Sequence, residues 1–296
     1  MILITGATGF LAGQIACHLK DNNNEVKIAS SKKKPFLPQK LINCNIAHVD
    51  LTQSESIKKA VIGAEYIVHC AAMDFESCLR NPVKAREINE EGTRKIIEVA
   101  KSNKVKKFIY LSTMHVYGKN LIGTVNESSP VNPKDLYSET HLNSEIIIQD
   151  NLEFADTQYL NLRLSNVISS PIQKKSSCWK LAAQDMCLQA VMHRKIKLNS
   201  DGSQYRDFVT INPLKEVILE FIKNDRKQGT YNLGSGNSIS ILELALKISS
   251  ICHEIFNYKP TIKSSNKKYP NSYFEFEVSK IKREFNYNFT NSIDKA

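Results

Sequence analysis

The opening residues constrain this chain's architecture more than any other stretch. They read Met-Ile-Leu-Ile-Thr-Gly6-Ala-Thr8-Gly9-Phe10-Leu11-Ala12-Gly13, an apolar run, a glycine turn and the start of an amphipathic segment. Glycine at 6 permits a tight turn, and glycine at 9 lets backbone approach a pyrophosphate. The small Ala12 lets helix pack on strand. The N-terminal end of such a helix presents unpaired N–H groups and a favourable dipole to phosphate. The spacing is GxxGxxA rather than GxGxxG, so its weight comes from the strand before it and the helix after it. The turn predicts a dinucleotide site running along Gly6, Thr8, Gly9, Phe10 and Leu11.

Apolar runs then alternate with amphipathic stretches. Strands are predicted over residues 1–5, 25–30, 47–50, 66–71, 107–113 and 158–164, and helices over 9–22, 82–103 and 136–151. Such alternation forces right-handed parallel crossovers, which predicts an α/β fold with a doubly wound parallel sheet of the Rossmann kind. After Asn166 the rhythm changes. A helix over 178–194 precedes short strands at 196–199 and 206–210, a helix from 213 and a strand at 230–234. A helix over 240–256 and a polar, lysine-rich loop over 259–273 follow. The expected organisation is a dinucleotide-binding domain over 1–167, with a returning segment about 205–233. A smaller C-terminal substrate domain is expected from 168–204 and 234–296.

Composition narrows the function classes. Of 296 residues 42% are apolar and 24% charged, ordinary for a globular protein. No apolar run reaches the roughly 18 residues of a membrane span. The start lacks the basic region of a signal peptide. Cysteines at 17, 44, 70, 78, 178, 187 and 252 are odd in number and never spaced CxxC. That predicts reduced thiols in the cytoplasm and no metal site. The net charge of +10 is scattered lysine with one run at 32–34. It suits solubility, or an acidic small ligand such as a pyrophosphate. No basic stripe with interleaved aromatics is present, so nucleic acid is not an expected partner. The second strand ends Ser30-Ser31-Lys32, hydroxyls and a cation where an acid would hold the ribose hydroxyls of NAD. Those groups suit a 2′-phosphate, so NADP is favoured over NAD.

Further motifs extend the turn. They include Asp50-Leu51-Thr, VHCAAM over 68–73, Asn89-Glu-Glu-Gly-Thr93, LSTMHVYG over 111–118 and Pro133 before Tyr137. LRLSNV over 162–167, GSQYRDF over 202–208 and YNLGSG over 231–236 complete the series. With these residues the chain resembles the extended short-chain dehydrogenases/reductases of the sugar-nucleotide epimerase/dehydratase type, over nearly its whole length. The resemblance implies that Asp50 and Leu51 hold the adenine, that Ala71, Ala72 and Met73 line the middle of the cofactor, and that Asn89 also contacts it. It places Thr113 and Tyr137 as the catalytic pair, and Asn166 and Arg206 on the substrate's nucleotide diphosphate. A guanidinium suits phosphate because its planar fork donates bidentately. Dimerisation through helices near 90–103 and 136–151 is also implied, as is a nucleotide-sugar substrate.

Three departures bear on chemistry. The family's YxxxK is here Tyr137-Ser-Glu-Thr-His141. That spacing keeps both side chains on one helix face, but histidine is charged only part of the time near neutrality. The Asp-Glu pair of 4,6-dehydratases is replaced by Met114 and His115. Methionine cannot donate a proton, which disfavours dehydration. His115 is a candidate acid/base on a sugar carbon, or a neutral histidine in the cleft wall. Ile168-Ser169-Ser170-Pro171 stands where relatives read YGP after Asn166. His69 is expected to pack beside the cofactor loop, and Trp179 in core or lid. The expectation is an NAD(P)-dependent 4-keto-sugar-nucleotide reductase. The alternatives are a C4 epimerase with tightly bound NAD, and a catalytically weakened dinucleotide sensor.

Overall fold

A computed structural model of the chain describes residues 1–173, 176–268 and 273–285. Its centre is a seven-stranded sheet in which every neighbouring pair is parallel. In spatial order the strands are Gly229–Leu233, Gln158–Leu164, Lys107–Thr113, Tyr66–His69, Ile2–Thr5, Val26–Ser30 and Asn45–His48. The inner strands are near-continuous runs such as ILIT and KFIYLST, buried at every position, as sheets covered on both faces require. Helices Phe10–Asp21 and Ile211–Lys223 cover one face through Ile15, Leu19, Leu214 and Ile218. Helices Ser54–Val61, Gly92–Ser102 and Leu136–Leu152 cover the other through Ile57, Ile96 and Ile148.

Strand order reverses between Ile2–Thr5 and Tyr66–His69, which lie in register with Thr5 beside His69. Ligands of open α/β sheets bind at such a switch point, beyond the carboxyl ends of the strands. Gly6, Ala71 and Thr113 leave or end three adjacent strands at that edge.

Several sequence expectations shift. The single helix expected over 82–103 is interrupted: Pro82–Arg86 passes into a π-helical turn, Glu87–Glu91, before Gly92–Ser102 resumes. The wider turn carries Asn89, buried on the inner side. A π-turn inserts one residue and re-aims its neighbours, which 3.6-residue periodicity cannot register. The expected third strand slides back to Asn45–His48 at the sheet edge, where burial gives no clear alternation. The 178–194 helix divides into a 3₁₀ turn, Ser177–Lys180, and a helix, Ala182–His193. Within the lysine-rich 259–273 segment, Thr261–Lys263 is a strand paired with Lys195–Lys197, because Ile262 and Ile196 pack inward. Of the 205–233 stretch, Gly229–Leu233 joins the large sheet. Tyr205–Thr210 instead pairs with Asn166–Ile168 and Ser238–Ser240. Helix Ile241–Phe256 opens with a capping box between Ser240 and Glu243. Residues 286–296, expected in the substrate domain, lie outside the described residues. No helix among the described residues is long and apolar enough to cross a membrane.

Candidate active site

Gly6 adopts φ +67°, and a Cβ there would sit 3.0 Å from Ala71 Cα. A Cβ on Gly9 would meet Gly6 O at 3.0 Å, and the Gly9 N–H donates to that oxygen at 2.7 Å. The helix starts at Phe10 with no side chain capping it. Its first N–H groups and dipole therefore face the cleft without a protein anion, the arrangement a pyrophosphate takes. Thr8, Phe10 and Leu11 flank this turn, each half-buried. The backbone cradle fits a dinucleotide. Gly6→Val should weaken dinucleotide binding at least tenfold, since backbone strain of about 1–3 kcal/mol joins the clash with Ala71. Titration of NAD and NADP by fluorescence quenching checks it, with the circular dichroism spectrum unchanged.

Behind the turn a buried chain of hydrogen bonds fixes the next strand's exit. The backbone N–H groups of Cys70 and Ala71 both donate to Thr5 Oγ1 at 3.1 Å. Thr5 Oγ1 lies 2.8 Å from His69 Nδ1, and His69 Nε2 lies 3.1 Å from Thr93 Oγ1. Thr93 gives its own proton to Asn89 O at 2.5 Å. The proton count leaves one solution: Thr5 donates to Nδ1, and His69 donates from Nε2 to Thr93. Complete burial pushes the His69 pKa down to about 3, so the ring is a neutral strut beside the cofactor loop. Ala72 is exposed and Ala71 and Met73 half-buried along that loop. The Asn89 carboxamide accepts from Met73 N–H at 2.8 Å and donates to Thr140 Oγ1 at 2.9 Å, tying the loop to helix Leu136–Leu152. The structure therefore gives Asn89 an internal bracing role between these two elements.

At the far end of the site, Ser30 is buried and its hydroxyl accepts from Lys32 N–H at 3.1 Å. Ser31 and Lys32 are exposed. Asp50 Oδ1 accepts from the Thr52 N–H at 2.9 Å and the Thr52 hydroxyl at 2.8 Å, which holds the carboxyl below its ordinary pKa. Leu51 packs where a side chain on Gly92 would stand, 2.8 Å from its Cβ.

Thr113 ends its strand, and its hydroxyl accepts from His115 N–H at 3.2 Å. Tyr137, the second residue of helix Leu136–Leu152, lies close enough for the Thr113 hydroxyl to ease its ionisation. Burial pushes the Tyr137 phenol up to about 12, with the nearby Thr113 hydroxyl acting against it. His141 lies against Tyr137 with ring centroids 4.5 Å apart, edge to face. Its Nδ1 is 2.7 Å from the Tyr110 hydroxyl, and its buried Nε2 has no hydrogen-bond partner. Burial pushes the His141 pKa down to about 4, and His115 adds to the effect. The ring is neutral at physiological pH, so Tyr137 has no protein cation in the place a YxxxK lysine would fill. A buried, unpaired ring nitrogen beside Thr113 and Tyr137 again fits a hydroxyl-bearing cofactor.

Part of His115 reaches solvent, yet the packing around its ring desolvates it and holds its pKa below the ordinary value. Arg206 and Lys119 push the same way, against Asp135. Arg206 thus shares the cleft wall with His115, its Nη1 on Tyr205 O at 2.7 Å. The Asn166 amide donates to Asp207 O at 2.8 Å and lies 3.9 Å from Met114 Sδ. Asp207 in turn accepts from Ser235 N–H at 2.8 Å. Beyond Asn166, Gln14 donates to Ser170 O at 2.6 Å, and Ile172 Cδ1 sits 1.9 Å from where a Cβ on Gly13 would be. The segment that replaces YGP is therefore packed on the first helix.

Two features escaped the sequence reading. Tyr110 is one. The other is a buried ion pair in which Arg163 Nη2 meets Glu145 Oε2 at 2.7 Å. Arg163 Nη1 also donates to Tyr117 Oη at 2.8 Å, and Tyr117 donates to Asn232 Oδ1 at 2.7 Å. An acid two helical turns beyond Tyr137, and an arginine between two leucines of a strand, were the available signals.

Comparison with known proteins agrees with this geometry. A putative UDP-glucose 4-epimerase of Methanocaldococcus jannaschii is 27% identical over 262 residues, covering 86% of this chain and 82% of its own length. The human dTDP-D-glucose 4,6-dehydratase is 25% identical, covering 86% and 74%. Among solved structures, the UDP-glucose 4-epimerase of Thermotoga maritima superimposes with TM-score 0.86 at 19% identity, covering 99% of this chain and 95% of that one. A UDP-N-acetylglucosamine 4-epimerase of Methanobrevibacter ruminantium gives TM-score 0.84 at 22% identity, covering 99% and 93%. These structural likenesses establish the shared fold. The model of the NAD dependent epimerase/dehydratase family matches residues 2–234. The chain, with its glycine turn, Thr113–Tyr137 pair and seven-stranded parallel sheet, belongs to the NAD dependent epimerase/dehydratase family.

Proposed function

We propose that this chain is a 4-keto-sugar-nucleotide reductase working with NADPH. The observation that carries the reading is the neutral His141 beside a Tyr137 whose phenol is pushed up to about 12. A tyrosine without a neighbouring cation stays protonated at neutral pH. It serves as a proton donor and is a poor base. Reduction of a ketone needs a donor; oxidation of an alcohol needs a base. A reduced nicotinamide dinucleotide held at the Gly6–Gly9 turn would supply the hydride for the carbonyl carbon. Tyr137 gives its proton to the carbonyl oxygen, which becomes the hydroxyl of the product, and solvent returns a proton to Tyr137. Thr113 holds the same oxygen through its hydroxyl. Met114 offers no proton for elimination of water. Ser31 and Lys32 at the end of the second strand support the choice of NADPH, because a 2′-phosphate would meet a hydroxyl and a cation. Arg206 and Asn166 are assigned to the diphosphate of the substrate, and His115 to the sugar. Helices Gly92–Ser102 and Leu136–Leu152 are assigned to a homodimer contact.

A second reading is favoured by the relatives named as 4-epimerases. An epimerase keeps its dinucleotide and begins by oxidising an alcohol, for which Tyr137 must act as base. The variant His141→Lys separates the two. An ammonium near the phenol lowers its pKa by about 1–3 units. Alcohol oxidation at pH 7 should therefore speed up about tenfold or more, and its rise with pH should move to lower pH. Ketone reduction should change by less than about threefold, since Tyr137 is already protonated. Initial rates in both directions from pH 6 to 10 test this. Equal effects on both directions would remove the argument for a reductase.

A further inference from the structure

We infer that Asp207 is a positioning residue for the substrate: it clamps both points where the chain passes from the large sheet to the small one, and so sets Asn166 and Arg206 relative to Thr113 and Tyr137. This rests on the assignment of Asn166 and Arg206 to the substrate's diphosphate and deepens it.

The chain leaves the seven-stranded sheet for the three-stranded one twice. Strand Gln158–Leu164 gives way to Asn166–Ile168 across the single residue Ser165, and strand Gly229–Leu233 gives way to Ser238–Ser240 across residues 234–237. The two crossings are tied to each other, since Ser165 N–H donates to Leu233 O at 3.0 Å. Asp207 stands on Tyr205–Thr210, the middle strand of the small sheet, and is completely buried. Its main-chain oxygen accepts from the Asn166 amide at 2.8 Å, just after the first crossing. Its carboxylate holds the second. Oδ1 accepts from Ser235 N–H at 2.8 Å, and Oδ2 accepts from the Ser235 hydroxyl at 2.5 Å and from Asn237 N–H at 3.2 Å.

Three donors from the 234–237 loop thus converge on one side chain, and a carboxylate offers acceptors at both of its oxygens where an amide offers one. A buried charged group is costly unless hydrogen-bonded, so the acid draws the loop to itself. The loop is packed close: a Cβ on Gly234 would sit 2.5 Å from Phe276 Cδ1 and 2.6 Å from Asp207 Oδ1. What the clamp fixes is the wall of the cleft. Arg206 precedes Asp207 on the same strand and pairs with Ile239, just beyond the second crossing. Asn166 pairs with Phe208, and its amide lies 3.9 Å from Sδ of Met114, the residue after Thr113. With no surface of its own exposed, Asp207 acts through these two residues.

Calorimetric titration of the full chain, saturated with NADPH, with UDP and with dTDP tests this without any sugar chemistry. Asp207→Ala leaves Ser235 N–H without its acceptor and releases the Ser235 hydroxyl. It should weaken the diphosphate that the wild type binds by about tenfold or more, with NADPH affinity changed less than about twofold. Asp207→Asn keeps one acceptor oxygen and should lose only about threefold. Ser235→Ala removes the hydroxyl from the other end of the clamp. It should cost about threefold alone and nothing further in the Asp207→Ala background, the non-additivity expected of two ends of one contact. Should Asp207→Ala fail to fold, Asp207→Asn and Ser235→Ala carry the same prediction. Unchanged diphosphate affinity in these variants, or an equal loss of NADPH affinity, would overturn the inference. A wild type that binds neither UDP nor dTDP would instead remove the substrate reading on which it rests.

Discussion

Tyr137→Phe should lower ketone reduction by about 10²–10⁴-fold, the range a positioned general acid contributes, with little change in dinucleotide affinity. The substitution removes one hydroxyl and keeps the ring packed against His141 at its 4.5 Å centroid distance. Neighbouring groups do not replace the lost proton. Thr113 is tethered to the His115 backbone and has too high a pKa to act as an acid at the substrate oxygen. His141 is neutral, and His115 is held below its ordinary pKa, so neither carries a spare proton at pH 7. The negative oxygen left by hydride transfer would then have only a hydrogen bond to stabilise it. Single-turnover consumption of NADPH, compared with equilibrium binding of the same dinucleotide, separates chemistry from binding. Near-normal turnover in Tyr137→Phe would move the acid elsewhere, with His115 the first candidate.

Glu145→Ala should destabilise the fold by about 3–5 kcal/mol, the usual cost of leaving one member of a buried ion pair without its partner. Arg163 Nε lies 3.1 and 3.0 Å from the two carboxylate oxygens of Glu145, and Nη2 completes a fork at 2.7 Å. Both side chains are over nine-tenths buried. The pair also organises its surroundings. Ser112 hydrogen-bonds Glu145, and the guanidinium lies over the Tyr117 ring, 4.9 Å from its centroid. Removing the acid strands a cation among apolar strands and unpins the residue next to Thr113. Against a total stability of about 5–15 kcal/mol, this is a large fraction. Urea denaturation should show the loss, and a Glu145→Met/Arg163→Met double variant should recover much of it. A pair this deep is often matched in stability by well-packed apolar residues. A loss below about 1 kcal/mol in the single variant would mean that water reaches the pair.

Much of the sheet was legible because its strands are short apolar runs separated by amphipathic helices, and the glycine turn marked the first crossover. What periodicity could not show was any element shorter than its own repeat. Gly123–Val125, Ser238–Ser240 and Phe274–Phe276 pair with distant partners and carry no pattern of their own. The π-turn at Glu87–Glu91 was invisible for a different reason: it sits inside a continuous helical stretch, and the contacts of Asn89 with Met73 and Thr140 that go with the wider turn are tertiary. The site divides in the same way. Thr113, Tyr137 and His141 could be named from the family resemblance, and the structure brings these three together. The protonation state of His141 could not be read from spacing. It depends on burial of the ring, to which His115 adds. Asn89 was expected to contact cofactor, yet its amide is spent on Met73 and Thr140. Ordered motifs indicate which residues stand near the ligand, and hydrogen-bond counting then indicates which of them still have a hand free.

The most direct measurement is to mix the purified protein with NADPH and a nucleotide-linked 4-keto sugar, following the dinucleotide's absorbance and the sugar's configuration together. A site whose tyrosine is held protonated beside a neutral histidine should oxidise one NADPH for each ketone reduced and release a single C4 epimer. Interconversion of the two C4 epimers of a UDP-hexose, with no net change in dinucleotide, would contradict it.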